Sequence, residues 1–150
     1  MNEVVLTHFS AEPFSVDLNM DYRIGEVVCR TGKPHGLWLS DDTDYGWAQW
    51  CTDNGFMLDH LTCRADFAVD LTDCLVLDTT SKIETLFDIY PNGRTPDDWR
   101  MDIIDWHGLS RDYKGIFISP YSYTARLQSM WYYGWDCASG CFWDLSVIKK

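Results

Sequence analysis

The chain has no run of lysine or arginine: its 12 basic residues are scattered among 23 acidic ones, giving a net charge of -11 over 150 residues. A field of that sign repels phosphate, so tracking along nucleic acid is not expected. No C-x-x-C pair occurs among Cys29, Cys51, Cys63, Cys74, Cys137 and Cys141, and no histidine stands at metal-ligand spacing from a partner, so no metal site is expected. No stretch approaches the roughly 18 to 20 apolar residues of a membrane span. The first residues, Met1 to His8, have neither the basic nor the long apolar segment of a secretory signal. The expectation is a cytoplasmic protein with free, buried thiols and no membrane partner. There is also no G-x-S-x-G elbow, no glycine-rich phosphate loop, no repeat and no low-complexity linker, so residues 1–150 are expected to form one domain.

What the chain does have is indole and acid. Hydrophobic residues make up 46% and charged residues 23%, a globular balance, yet eight tryptophans exceed what a core of this size requires. Each surplus indole either packs or offers a flat face to a ligand. The acidity allows a separate function class, an inhibitor whose carboxylates imitate nucleic-acid phosphates in a partner's basic groove.

Local patterns predict an α+β fold. Val4 to Phe9 reads as a strand ending near His8, Val27 to Arg30 as a short element, and Gly36 to Ser40 as a strand with Trp38 and Ser40 opposite Leu37 and Leu39. Asp41 to Thr43 offers caps for a helix from about Asp44 to Thr52, with Trp47, Trp50 and Cys51 on one face. Cys74 to Asp78 reads as a buried strand, and Ser81 to Glu84 as a capping box for a helix reaching Tyr90. Thr95-Pro96-Asp97-Asp98 opens a further helix, carrying Trp99, Ile103 and Trp106 and ending at Gly108. Gly115 to Ser119 and Gly140 to Val147 read as late strands, with Tyr121 to Trp135 between them unassigned.

Among candidate site residues, His8 ends a strand between the hydroxyls of Thr7 and Ser10, where it is either a ligand contact or a satisfied core histidine. His35, His60 and His107 are expected to be structural. Trp38, Trp47 and Trp50 can bring flat faces around one cleft for a planar ring, or can simply fill core. Nothing near Cys137 or Cys141 lowers a thiol pKa, so both are expected to be inert.

Three segments in order resemble the ADP-ribosyltransferases of the histidine-tyrosine-glutamate type, which include poly(ADP-ribose) polymerases and diphtheria toxin. These are Val4-Val5-Leu6-Thr7-His8-Phe9-Ser10, then Gly36-Leu37-Trp38-Leu39-Ser40 with Trp47-Ala48-Gln49-Trp50-Cys51, then the strands Tyr113 to Ile118 and Cys141 to Ile148. The resemblance implies a single α+β domain of split, antiparallel-rich β-sheets with short flanking helices. It implies NAD as substrate and a macromolecular target, protein in preference to nucleic acid, in the manner of a small bacterial or phage effector. By the same resemblance His8 would bind the nicotinamide ribose, with Ser10 as the hydroxyl that follows it. Gly36 and Leu37 would bring backbone to the nicotinamide amide, Trp50 would stack on the nicotinamide ring, and Trp38, Ser40 and Trp47 would complete the wall. Where the family carries its catalytic glutamate this chain has Ser139, which cannot polarise a ribose hydroxyl as a carboxylate does. Asp136 is the expected substitute, and Asp144 the other nearby acid. A pocket that binds nucleotide without cleaving it is the alternative on the same fold.

Overall fold

The computed structural model describes residues 2–19, 33–43, 45–91 and 104–149. The expected element at Val27 to Arg30 lies outside them, as does the expected helix opened by Thr95 up to residue 103. Six strands form one mixed sheet: β1 (Glu3–Ser10), β2 (Leu37–Ser40), β3 (Cys63–Asp70), β4 (Leu75–Leu77), β5 (Gly115–Ile118) and β6 (Ser139–Phe142), in the order β3-β1-β2-β6-β5-β4. All pairs are antiparallel except β4 with β5. The split sheets expected from the resemblance are therefore not seen. A full four-residue ladder between β2 and β6, Leu37 with Phe142 through Ser40 with Ser139, joins both halves into one.

Alternation along the strands builds two cores. On one face Leu6, Leu37, Leu39, Val69, Phe117 and Phe142 pack together. On the other, Ile116, Ile118 and Cys141 meet the helices α2 (Thr80–Ile89), α3 (Trp106–Asp112), α4 (Tyr123–Gln128) and α5 (Met130–Tyr133). This second core is aromatic: Trp106, Trp131, Trp135 and Trp143 are all buried. Four of the seven described tryptophans thus fill core. Trp143 also donates its Nε1–H to the Tyr113 carbonyl at 2.7 Å, so its polar end is satisfied where it is buried.

Several boundaries move for local reasons. The helix after β2, α1 (Trp47–Asn54), starts later than expected, because Gly46 is its N-cap and Ser40 Oγ accepts the Trp47 N–H at 2.7 Å. Thr79, not Ser81, caps α2 by accepting the Lys82 N–H. Gly108 does not end a helix but lies inside α3, whose cap is Asp105 accepting the Gly108 N–H at 3.0 Å. The last strand stops at Phe142, after which Asp144 caps a short 3-10 turn, Leu145–Val147. Tyr121 to Trp135 resolves into α4 and α5.

Candidate functional site

The centre of the sheet carries a row of hydroxyls. Thr7 pairs with Ser40 across β1 and β2, and Ser40 pairs with Ser139 across β2 and β6. All three are buried, at 1%, 4% and 7% exposure, which is unusual enough for polar side chains to need a reason. Each proton is already committed: Thr7 Oγ1 donates to Asp66 Oδ1 at 2.7 Å, Ser40 Oγ to the Asp41 carbonyl at 2.7 Å, and Ser139 Oγ to the Cys137 carbonyl at 3.2 Å. A hydroxyl that has donated keeps acceptor capacity, so the row is suited to ligand groups that donate.

Thr7–Ser40 is the one paired position between β1 and β2, and His8 Nδ1 meets the Trp38 carbonyl at 3.1 Å beyond it. A carbonyl only accepts, so Nδ1 carries the proton and Nε2 of a neutral ring is left as an acceptor. The imidazole is held from its other side by Phe14, stacked with ring centroids 3.9 Å apart. At this opening lies a cavity of about 310 Å³. His8, Trp38, Ser40, Trp47 and Ser139 all line it, as do Thr7, Lys33 and Cys137. Trp38 and Trp47 give it flat apolar walls, and the Lys33 ammonium stands 5.6 Å from the Trp38 ring centroid. Among the described residues none of those lining it is a carboxylate.

The remaining expected residues lie elsewhere. Ser10 turns away to donate to the Glu12 carbonyl at 2.5 Å. Leu37 is buried in the aliphatic core. Gly36 is required by packing: a Cβ there would stand 2.7 Å from the Phe142 carbonyl oxygen and 2.8 Å from Cys141 Sγ. Asp144 caps its turn through the Ser146 N–H. Trp50 and Asp136 line a second cavity of about 360 Å³, with Tyr45, Asp53, Tyr121 and Arg126. Asp136 is 3.6 Å from Arg126 Nη1 there. The two cavities share a wall, because Trp47 and Trp50 stack at 5.2 Å with 12° between their planes. Trp47 is the member of the pair that faces the first cavity.

Neither Lys33, which no motif singled out, nor Phe14, which follows the turn after β1, was signalled by any local pattern. Thr7 could have been found, since it stands beside His8 near the end of β1 and offers a hydroxyl there.

Cysteine chemistry at the site is suppressed. The described cysteines are all free, with Cys29 outside the described residues. Burial pushes the Cys137 thiol up to about 12, with the Asp136 charge adding to the effect, and burial together with Asp70 pushes Cys74 up to about 12. A protonated thiol is a poor nucleophile, so Cys137 serves as a wall. The same shifts set a pH dependence. The unfolded chain ionises these thiols near the ordinary 9.0 while the folded chain keeps the proton, so stability is untouched below that value and falls above it. The expected loss is about 1 kcal/mol per pH unit for each thiol up to about pH 12. Urea midpoints measured at about pH 8 and about pH 10 should diverge, and Cys74→Ala with Cys137→Ala should reduce the divergence. An unchanged divergence in the double variant would show that other groups carry it.

Among the described residues no group of three or more His, Cys, Asp or Glu is placed to hold a metal ion. No helix among them is long and apolar enough to cross a membrane. The fold and site define an α+β domain with an aromatic-walled, acceptor-lined cavity where three strands meet at mid-sheet. Comparison with protein-family models, with curated proteins and with solved structures found no match.

Proposed function

We propose that this chain is a cytoplasmic NAD-dependent ADP-ribosyltransferase that modifies a protein target, with NAD held in the first cavity. The observation that carries the reading is the convergence of the first two resembling segments with the position where the family carries its glutamate: His8 from β1, Trp38 and Ser40 from β2, and Ser139 from β6 line one cavity. The chemistry of the lining fits the ligand. Trp38 and Trp47 are stacking surfaces for a nicotinamide ring. His8 Nε2 and the hydroxyl row accept from ribose hydroxyls and a carboxamide, and Lys33 offers positive charge for a phosphate. In the transfer the bond from ribose C1′ to nicotinamide nitrogen breaks, and nicotinamide leaves with the electron pair. A nucleophile of the target then bonds to that carbon and loses its proton. A carboxylate beside the ribose stabilises the positive charge developed on the way. Asp136, on the segment that also carries Cys137 and Ser139 into the cavity, is the candidate.

A second reading, nucleotide binding without cleavage, is favoured by the position of Asp136 on the second cavity beside Arg126. Calorimetry with NAD tests what both readings share. Saturable binding is expected, weakened about tenfold or more by His8→Ala, whose lost hydrogen bonds are worth about 1 to 2 kcal/mol. Absence of binding heat sinks both readings. Free nicotinamide accumulating over hours, abolished by Asp136→Asn, selects the transferase, whereas binding without release selects the second reading.

A further inference from the structure

The second cavity differs in chemistry from the first. Trp50, Asp53 and Asn54 share one face of α1, as residues three and four apart do. Facing them are three tyrosine rings in edge-to-face contact: Tyr121 with Tyr123 at 5.0 Å, and Tyr123 with Tyr45 at 6.5 Å. Tyr45 and Tyr123 are 51% and 62% exposed, so the aromatic wall is open to a macromolecule.

The charges inside are unequal. Arg126 is occupied by its own surroundings: Nη1 donates to Tyr121 Oη at 3.1 Å, stands 3.6 Å from Asp136, and the guanidinium lies 4.7 Å from the Tyr133 ring centroid. Asp136 is thereby balanced. Among the described residues Asp53 is met only by the neutral amide of Gln49 at 2.8 Å, so of the described residues lining the cavity two carboxylates against one guanidinium leave one net negative charge on an aromatic wall. Aromatic faces with an uncompensated carboxylate attract cations, and a planar guanidinium can both stack on an indole and fork to a carboxylate. The net charge of -11 favours the approach of basic partners in general.

We propose that the second cavity binds the guanidinium of an arginine side chain presented by a basic protein partner, stacked on Trp50 and paired with Asp53. This site stands apart from nucleotide binding in the first cavity, across the Trp47–Trp50 wall.

The test uses the full chain, labelled with nitrogen-15 and without nucleotide, titrated with Nα-acetyl-arginine methylamide and, separately, with its citrulline counterpart, which has the same shape and no charge. Saturable shifts of the Trp50 indole and of the Asp53 and Asn54 amides are expected, with Kd of about 1 mM and at least about tenfold weaker binding of citrulline. Asp53 is exposed on its helix, so Asp53→Asn leaves the fold intact and should weaken arginine binding about tenfold. Trp50→Phe assigns the indole signal and should retain part of the affinity. Equal binding of the two ligands, shifts confined to other residues, or no saturation overturns the proposal. Because no nucleotide is present, failure here leaves the NAD reading standing, and failure of NAD binding leaves this one.

Discussion

Gly46→Ala is expected to destabilise the domain by about 3 kcal/mol, at the upper end for a single added methyl in a packed site. Its φ of -81° and ψ of 177° suit any residue, so backbone conformation is not what demands glycine here. The demand is space: a Cβ would overlap the Asp41 carbonyl, which is backbone and cannot rotate away. Neither side can yield cheaply. Asp41 donates its N–H to the Ala138 carbonyl at 3.0 Å and its own carbonyl accepts from Ser40, while Gly46 donates to Thr43 and accepts from Trp50, each at 3.0 Å. Relief of the clash therefore pulls α1 off β2 and moves Trp47 from the cavity wall. Gly55→Ala provides the contrast. Gly55 has φ of 60° with nothing within 4 Å of an added Cβ, so only the left-handed conformation costs, by about 1 kcal/mol. Urea midpoints of the two variants should differ about threefold in stability loss at unchanged m-value. Equal losses would show that the turn from Asp41 to Trp47 adjusts freely.

Trp135→Ala is expected to cost about 3 to 5 kcal/mol, a large part of the roughly 5 to 15 kcal/mol that keeps a domain folded. Trp135 is 1% exposed and meets four other rings of the aromatic core: Trp38 at 4.7 Å, Trp131 at 6.0 Å, Trp106 at 6.1 Å and Tyr132 at 6.5 Å between ring centroids. Its removal leaves a void that rigid rings cannot refill. It also takes away the support behind Trp38, so the cavity should lose NAD affinity as well as stability. Trp50→Ala, at a half-buried position stacked on Trp47 with Phe56 edge-on, should cost less than half as much. Circular dichroism in the near ultraviolet, followed through urea, measures both. A Trp135→Ala chain with near-native midpoint would mean that the core repacks.

How much was legible locally depends on how strongly each segment speaks for itself. β1 and β2 were readable because Val4 to Leu6 and Leu37 to Leu39 are continuous apolar runs bounded by turn residues, and β5 because Ile116 to Ile118 is wholly apolar. β3 was missed. Cys63 to Asp70 contains Arg64, Asp66 and Asp70, poor strand formers, and becomes a strand because its whole length pairs with β1. The polar members face water, where Arg64 pairs with Asp66 at 2.9 Å and with Asp42 at 2.7 Å. Thr79 and Asp105 as caps were equally hidden, since any hydroxyl or acid near a helix start competes for that role until the backbone chooses.

By itself, the sequence determined the class of fold and the faces of β2, because these follow from periodicity and from residue types within a few positions; that His8, Trp38, Ser40, Trp47 and Ser139 belong near one another was what the resemblance implied. Only the tertiary structure decided that Thr7, Ser40 and Ser139 form one row, that Lys33 and Cys137 join the same cavity, and that Trp50 and Asp136 stand behind the Trp47 wall on another. Those relations rest on strand register and on which side of a stacked indole pair a residue falls. Register is set by long-range pairing and packing, which no local pattern encodes.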